Sequence, residues 1–556
     1  MSILRSAVSI GLVFRWAAAC MATAPSVYNV RDYGALPDGK TLATQPIQKA
    51  IDAASAAGGG TVSLPAGTFR SGTLYLKNNV TLSLEPGATL LGSTDPHDYP
   101  ENRASVRSYT DEYVCQSLIA GDGLEHIAIV GSGTIDGSGR AFRWTGYKNR
   151  PYVIRLVRCR DVRVEGVRLQ NSPMWMEHYL ACDQVRLRGV TVFNHMSYNA
   201  DGVDIDSCHD VCISECMFDS DDDALCLKST LDRPCRNVVI NNCVLSSHCN
   251  ALKMGTESNG GFQDVTVNNC TICSPRFSES IYGKSRGMGG IALETVDGGI
   301  LERVVISNIT VQGVSTPIFL RLGSRLRPFT AKGPKPEVGA LRNVLLSHIV
   351  ATGASNIGCS ITGVPGHPVE NVSLSDIQIT FDGGGRSFGP VTLTDGKREL
   401  AARIVPEYGE RYPESGMFGV LPGYGFYCRH VRGLKFHNLC LDTKTPDRRH
   451  AMVCDDVKDL IVDGLDAACR PDAEPVVRLI QVDGAILRNC SLRADAGTFL
   501  RLDGNRTQRV VLMSNELTRA ARIAEAGRDV SRGALSSVAN LGGKDDGPIR
   551  LPRAQQ

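Results

Sequence analysis

The chain has 556 residues, 42% hydrophobic and 21% charged, a balance that excludes a disordered protein. Its formal net charge of +2 supplies no global field for nucleic acid or an anionic membrane, and no later run of about 18 apolar residues could span a bilayer. Aromatic residues make up only 6% while glycine numbers 57, which favours many tight turns over a few large helices.

Residues 1–24 have the make-up of an export signal. Arg5 gives the basic start, Ala7 to Phe14 the short apolar run, and Ala22-Thr23-Ala24 a small-residue cleavage site. Ala19-Cys20 offers an alternative, lipoprotein-type processing point. The mature chain is therefore expected outside the cytoplasm, periplasmic or extracellular. From residue 25 to residue 556 no boundary marks a second domain. A cap is expected over about residues 25–100, with one helix from Thr44 to Ala57 that carries Ile47, Ala50, Ile51 and Ala54 on one face.

Further along, one pattern recurs: a polar residue, apolar-x-apolar, a short polar corner, and apolar-x-apolar again. Copies begin at Asp161, Gln184, Asp210, Asn237 and Asp264, then at Arg303, Asn343, Asn371, Gly433, Asp459, Gly484 and Arg509. Period-two alternation means strands, each too short to bury a face alone, and the first copies step by 23 to 27 residues, the period of a solenoid. The expected fold is all-β, a right-handed parallel β-helix, with Asn and Gly at corners that need left-handed backbone. Wider gaps predict inserted loops, one over Arg321 to Ala340 and one near Asp382 to Tyr412. The 19 cysteines lack paired CxxC spacing, which argues against zinc knuckles. They are expected as small buried side chains stacked from coil to coil, with a few disulfides among them.

Two copies break their corner with acids: Asn199-Ala-Asp201-Gly-Val-Asp204 and Asp221-Asp222-Asp223-Ala-Leu-Cys226-Leu-Lys228-Ser229. Matching Val203 to Leu225 as inward residues sets Asp201 beside Asp223, with Asp222 at the edge of the same patch. A lone acidic run is more often a solvated turn, and Asp triplets also hold calcium. Two clusters one coil apart on the same edge favour catalysis, because crowded carboxylates raise one another's pKa and yield an acid and a base side by side. That chemistry calls for no metal and no cofactor.

These motifs resemble those of glycoside hydrolase family 28, the polygalacturonase and rhamnogalacturonase-like enzymes. Asn199 to Asp204 is similar to the family's Asn-Thr-Asp-Gly-x-Asp, with Ala200 for Thr. Asp221 to Ser229 is similar to its Gly-Asp-Asp-Cys-Ile-Ala-x-Lys-Ser, with Asp221 for Gly and Ala224 for Cys. Val30-Arg-Asp-Tyr-Gly-Ala35 with Asp38-Gly-Lys40 resembles the family's N-terminal segment. Tyr412-Pro-Glu414 with Met417-Phe-Gly419 and Tyr424-Gly-Phe-Tyr427 resembles bacterial members. The resemblance implies inverting, metal-free hydrolysis of a galacturonate-containing pectic polysaccharide or oligosaccharide of the plant-cell-wall type, by a monomer. It makes Asp222 the general acid and has Asp201 and Asp223 hold and deprotonate water, with Asn199, Asp204 and Lys228 as substrate-binding members of the motifs. Inverting carboxyl pairs stand roughly 6.5–9.5 Å apart, and acids on adjacent coils, offset by a residue, are expected to span that distance.

Two motifs depart from the family. At its Gly-His-Gly, the segment before Lys253-Met-Gly-Thr256 puts Asn250 where His is expected; His248, two residues earlier, is the other candidate, against a structural role. At its Arg-Ile-Lys, Ile291-Ala-Leu-Glu-Thr295 leaves Ala292 and Glu294 in place of both cations. Lys253, in the outward column of Asp204 and Cys226, together with Arg321 and Arg325, are candidate replacements, each against the alternative of a solvated surface charge. Two lost cations and a negative Glu294 predict a substrate other than plain homogalacturonan, such as rhamnogalacturonan with a rhamnose methyl against Ala292. Two other functions stay open at this point. One is a β-helix polysaccharide lyase using calcium and a basic residue, although no Arg or Lys sits within the acid clusters themselves; the other is a non-catalytic polysaccharide-binding solenoid.

Overall fold

A computed structural model describes residues 26–108, 114–146, 149–277, 280–281, 285–330, 332–386 and 405–542. The expected export signal, Cys20 included, lies outside the described residues, as do residues 387–404 of the second expected loop.

The repeat folds as the right-handed parallel β-helix that its period predicts, with strands pairing in parallel across successive coils. One inward column runs Val162, Val185, Val211, Val238, Val265, Val304, Val344, Val372, Leu434, Leu460, Ala485 and Val510 in unbroken register. These residues each follow one of the predicted starts, and all are buried. Full burial of such a side chain is worth ~1.5–3 kcal/mol, so stacking coil on coil supplies what no single strand could. Every start residue takes left-handed backbone, with φ from 52° at Asp161 to 81° at Gly484. Most of them are not glycine, and side-chain ladders help to hold the strained corner. Asn237 donates to Asp210 at 2.9 Å and Asn371 to Asn343 at 3.2 Å.

At the N-terminal end the helix spans Thr44–Ala56. Pro46 sits in its first turn, where a missing N–H costs nothing, and Gly58 and Gly59 at positive φ end it. Ile47, Ala50, Ile51 and Ala54 are fully buried against the first strands. The cysteines stack as expected: the Cys159 amide donates to Cys182 Sγ at 3.4 Å and the Cys182 amide to Cys208 Sγ at 3.3 Å. The expected disulfides are a correction, because every cysteine among the described residues is free. Spaced one coil apart in a close-packed interior, the thiols serve as small apolar side chains.

Both predicted loops fold back onto the body. Arg325 and Arg327 tie the first to the buried Asp297 carboxylate. The second returns as residues 405–422, and its Val405, Phe418 and Leu421 pack on Ala292, Phe319 and Tyr427. That contact shapes the site.

Candidate active site

The outward column of one sheet reads His178, Asp204, Cys226, Lys253, Ala292 and Phe319 across consecutive coils. Val203 pairs with Leu225 as expected, which places Asp201 and Asp223 on neighbouring turns. Gly202 lets those turns meet: a Cβ there would lie 2.3 Å from the Ala224 carbonyl oxygen, so no other residue fits. One oxygen from each of Asp201, Asp222 and Asp223 then falls within 4.8 Å of the others. That is a closest approach between single oxygens, whereas the roughly 6.5–9.5 Å expected of an inverting pair separates carboxyl groups.

The three acids have different surroundings. Asp223 is buried and ringed by donors: Asn250 Nδ2 donates to its Oδ1 at 2.9 Å, the Asn250 amide at 3.2 Å, and Lys253 Nζ lies 3.0 Å from its Oδ2. Asp201 is buried with Oδ1 unpartnered. Burial, then the charges of Asp204 and Asp222, push its carboxyl well above the usual range, so the cluster retains a proton. Asp222 is the most exposed of the three, and its Oδ1 accepts from the Asp223 amide at 2.9 Å. Such a group can protonate or deprotonate whatever enters, while its neighbours hold water.

Cations neutralise this floor from below. Lys228 is buried with Nζ 3.4 Å from Asp204, 3.4 Å from Glu257 and 4.0 Å from Asp201, and lies over the Trp175 ring at 4.7 Å. Asp204 is itself fully buried; burial pushes its carboxyl well above the usual range although Lys228 opposes the shift. Asn199, at a left-handed φ of 52°, accepts from Arg150 at 3.1 Å and holds the acid turn rather than facing open space. The sequence reading found no basic residue within the acid clusters. The fold brings Lys253 from the next coil directly against them.

Several expectations are corrected. Asn250, not His248, stands beside the acids, because His248 turns to the other side of its corner and is buried against His195. Arg321 is neither a substrate contact nor a surface charge: it is buried, donating to Thr362 Oγ1, the Gly363 carbonyl and the Glu407 carbonyl, and burial lowers its pKa to about 10. Arg325 is likewise no solvated charge, since it grips Asp297 at 2.5 Å and lies over the Tyr412 ring at 5.6 Å. Ala292 is sealed beneath Phe418 and Leu421, so no rhamnose methyl reaches it. Glu294 is fully buried with both oxygens unpartnered, and burial pushes its carboxyl well above the usual range, so it does not present the repelling negative charge expected of it.

The returning 405–422 segment brings residues that sequence reasoning missed. Tyr412 and Glu414 reach over Lys253, with the Tyr412 hydroxyl 3.4 Å from Nζ. Burial raises Glu414 to about 7. Both border a cleft of ≈ 940 Å³ that Arg286, Arg411 and Met417 also line. Tyr412 and Glu414 stood in a motif quoted only as a family likeness, so the signal was present without a place to put it. On the opposite side Trp144, 80% exposed, meets Tyr198 edge-on at 6.4 Å between ring centroids, one residue before Asn199.

A second convergence went unnoticed. His195, Asp221 and His248 are all buried, and one possible ligand atom from each lies within 4.8 Å of the others. The signal was their spacing of 26 and 27 residues, one coil each, which puts them in one column. The sequence reading had assigned no metal ligand, yet both this trio and the Asp201, Asp222 and Asp223 trio have metal-compatible spacing.

Residues 58–392, more than half of the chain, match the model of the family described as glycosyl hydrolases family 28. The chain is 34% identical over 221 residues to a protein named probable polygalacturonase from Vitis vinifera, covering 36% of this chain and 44% of that one. It is 44% identical over 123 residues to an exo-poly-alpha-D-galacturonosidase from Dickeya chrysanthemi, covering 21% and 20%. The chain thus matches less than half the length of these curated relatives. The solved family 28 exopolygalacturonase of Yersinia enterocolitica shares the fold, with TM-score 0.60 at 20% identity over 79% of each chain.

Proposed function

This chain belongs to the glycosyl hydrolases of family 28, and we propose that it hydrolyses glycosidic bonds of a galacturonate-containing pectic chain, cutting from one end. The observation that carries the reading is the convergence of Asp201, Asp222 and Asp223, with Glu414 of the cleft wall close to Asp222 and Asp223. In this reading Asp222, the most open of the three, protonates the leaving oxygen. Asp223, fixed by Asn250 and Lys253, holds a water together with Asp201 and takes its proton. Two carboxyls on one water serve a direct displacement, which gives a product of inverted configuration. Lys253, Arg325 and Arg411 supply positive charge around Tyr412, suited to a uronate carboxylate.

Cutting from an end is supported by how the groove is blocked. Beyond Lys253 the outward column lies under Phe418 and Leu421; before Asp204, His178 and Arg155 are buried beside Tyr152 and Trp175. Among the described residues, both ends of this column are closed to a long polymer. One of the two curated relatives carries an exo-acting name. With the fate of Ala292 and Glu294 corrected, the case for excluding homogalacturonan falls away. The working form in this reading is one β-helix domain over residues 25–556, monomeric and placed outside the cytoplasm, where such polysaccharides occur.

The test digests defined oligogalacturonates and resolves products by length over time. Stepwise shortening from one end, with short products from the first minutes, is expected. Mid-length fragments, or no new reducing ends on any galacturonate-containing substrate, would overturn it.

A further inference from the structure

Upstream of the acids along the chain, a different set of side chains stacks across three coils. His195, Asp221 and His248 follow Asn194, Ser220 and Ser247, which are in register with one another. They point into a buried space, and each keeps an atom without a partner: His195 Nδ1, Asp221 Oδ2 and both ring nitrogens of His248. Buried polar atoms are nearly always satisfied, so three neighbouring residues that each leave one unsatisfied call for a ligand.

The surroundings fit a cation. Asp219 Oδ1 lies 3.0 Å from His195 Nε2 and also accepts from Ser246 Oγ at 2.9 Å. A carboxylate on the far nitrogen fixes the proton there and leaves Nδ1 as a bare lone pair, the arrangement in which metal-binding imidazoles are held. The Ile281 amide donates to Asp221 Oδ1 at 3.0 Å, orienting Oδ2, and Ser280 also hydrogen-bonds this carboxyl. The rings of Phe193 and Phe277 pack on His195 with centroids 4.8 and 5.0 Å away, giving the pocket a dry wall. The Phe277 main chain faces His248 without a well-aligned hydrogen bond.

We propose that His195, Asp221 and His248 bind one divalent transition-metal ion of the zinc type. Two imidazoles and a carboxylate are a donor set that suits zinc and its neighbours, whereas calcium and magnesium prefer oxygen. The donor atoms lie within 4.8 Å of one another. Around a tetrahedral ion with bonds of about 2.0–2.2 Å such donors stand roughly 3.5 Å apart, a spacing that falls within that bound. The fourth position is left for water. The ion clamps three consecutive coils at the turn that carries Asp222 and takes no part in proton transfer. The inference stands apart from the substrate assigned above.

The experiment uses the full chain, stripped with a chelator and then given Zn²⁺. Metal content after desalting, calorimetric titration and thermal melting are the readouts. About one zinc per chain and a rise in Tm are expected. Asp219→Asn should weaken zinc binding roughly 10–100-fold, as loss of an outer partner does, and His248→Gln or His195→Gln by more. If one histidine variant fails to fold, the other and Asp219→Asn carry the test. Asp222→Asn should bind zinc as the parent does. Negligible zinc retention with no Tm shift in the parent would overturn the proposal. So would binding that is lost in Asp222→Asn but kept in His248→Gln, which would move the ion to the carboxylate cluster.

Discussion

Asp221 and Asp223 belong to one turn and sit in clusters of similar tightness, yet their neighbourhoods are opposite in character. Around Asp223, Lys253 and Asn250 meet the carboxyl oxygens, Lys228 supports the floor beneath Asp201, and Asp222 is only half-buried. Around Asp221 the space is closed, and the atoms of His195 and His248 face it unpaired. A two-residue step along the coil thus separates a charge-balanced site with one half-buried acid from a sealed one with bare donors. Chemistry on a substrate needs access and a proton that can move; a sealed donor set suits a resident ion.

The comparison can be broken from either side. The largest effect is expected at the open cluster: Asp222→Asn should lower kcat by about 10²–10⁴ with KM nearly unchanged, read by initial rates of reducing-end release. A variant retaining most turnover would remove Asp222 from its role. Next comes the charge balance beneath it. Lys228→Met strands Asp204 without its cation, while Glu257 keeps Arg327, and should cost about 3–5 kcal/mol in denaturant unfolding. Stability within 1 kcal/mol or so of the parent would show that the acids are neutralised some other way.

A third acid sharpens the contrast, because Glu177 faces inward with only the Tyr179 hydroxyl donating to it, at 2.5 Å. Burial raises it to about 7 from 4.5. The folded state therefore binds a proton that the unfolded chain releases, so the stability contributed below pH 4.5 is lost as pH rises through 7. Glu177→Gln should flatten that slope, amounting to a few kcal/mol at most, in unfolding curves taken across the window. An unchanged slope would mean the inward acid is not the source. The smallest effect is geometric. Gly202→Ala forces apart the turns bearing Asp201 and Asp223 and should cost about 1–3 kcal/mol, with kcat falling further than KM rises. Full activity and stability would show that the turns have slack.

The coil register was legible because it is local: each start residue takes left-handed backbone, and the next residue points inward, so Val203 could be matched to Leu225 before any coordinates. The acid pair followed from that match. The covering segment was not legible, since Phe418 and Leu421 come from far along the chain and their landing place on Ala292 depends on tertiary packing. The misjudged charges share that cause. Glu294 and Arg321 looked solvent-facing because nothing in the repeat says which outward faces a later loop will bury. His195 was overlooked although its spacing of one coil from Asp221 and two from His248 was in plain view. Histidines were weighed there one by one, and only the column makes them a group.

The central claim is that this carboxylate cluster adds water across a glycosidic bond. Digestion of an oligogalacturonate in oxygen-18 water, followed at once by mass spectrometry and by NMR of the newly formed anomer, tests it directly. The account predicts saturated products, each new reducing end carrying one heavy oxygen in the inverted configuration, released about 10²–10⁴-fold more slowly by Asp222→Asn. Unsaturated products without label would contradict it, showing that the bond is broken by elimination rather than by water.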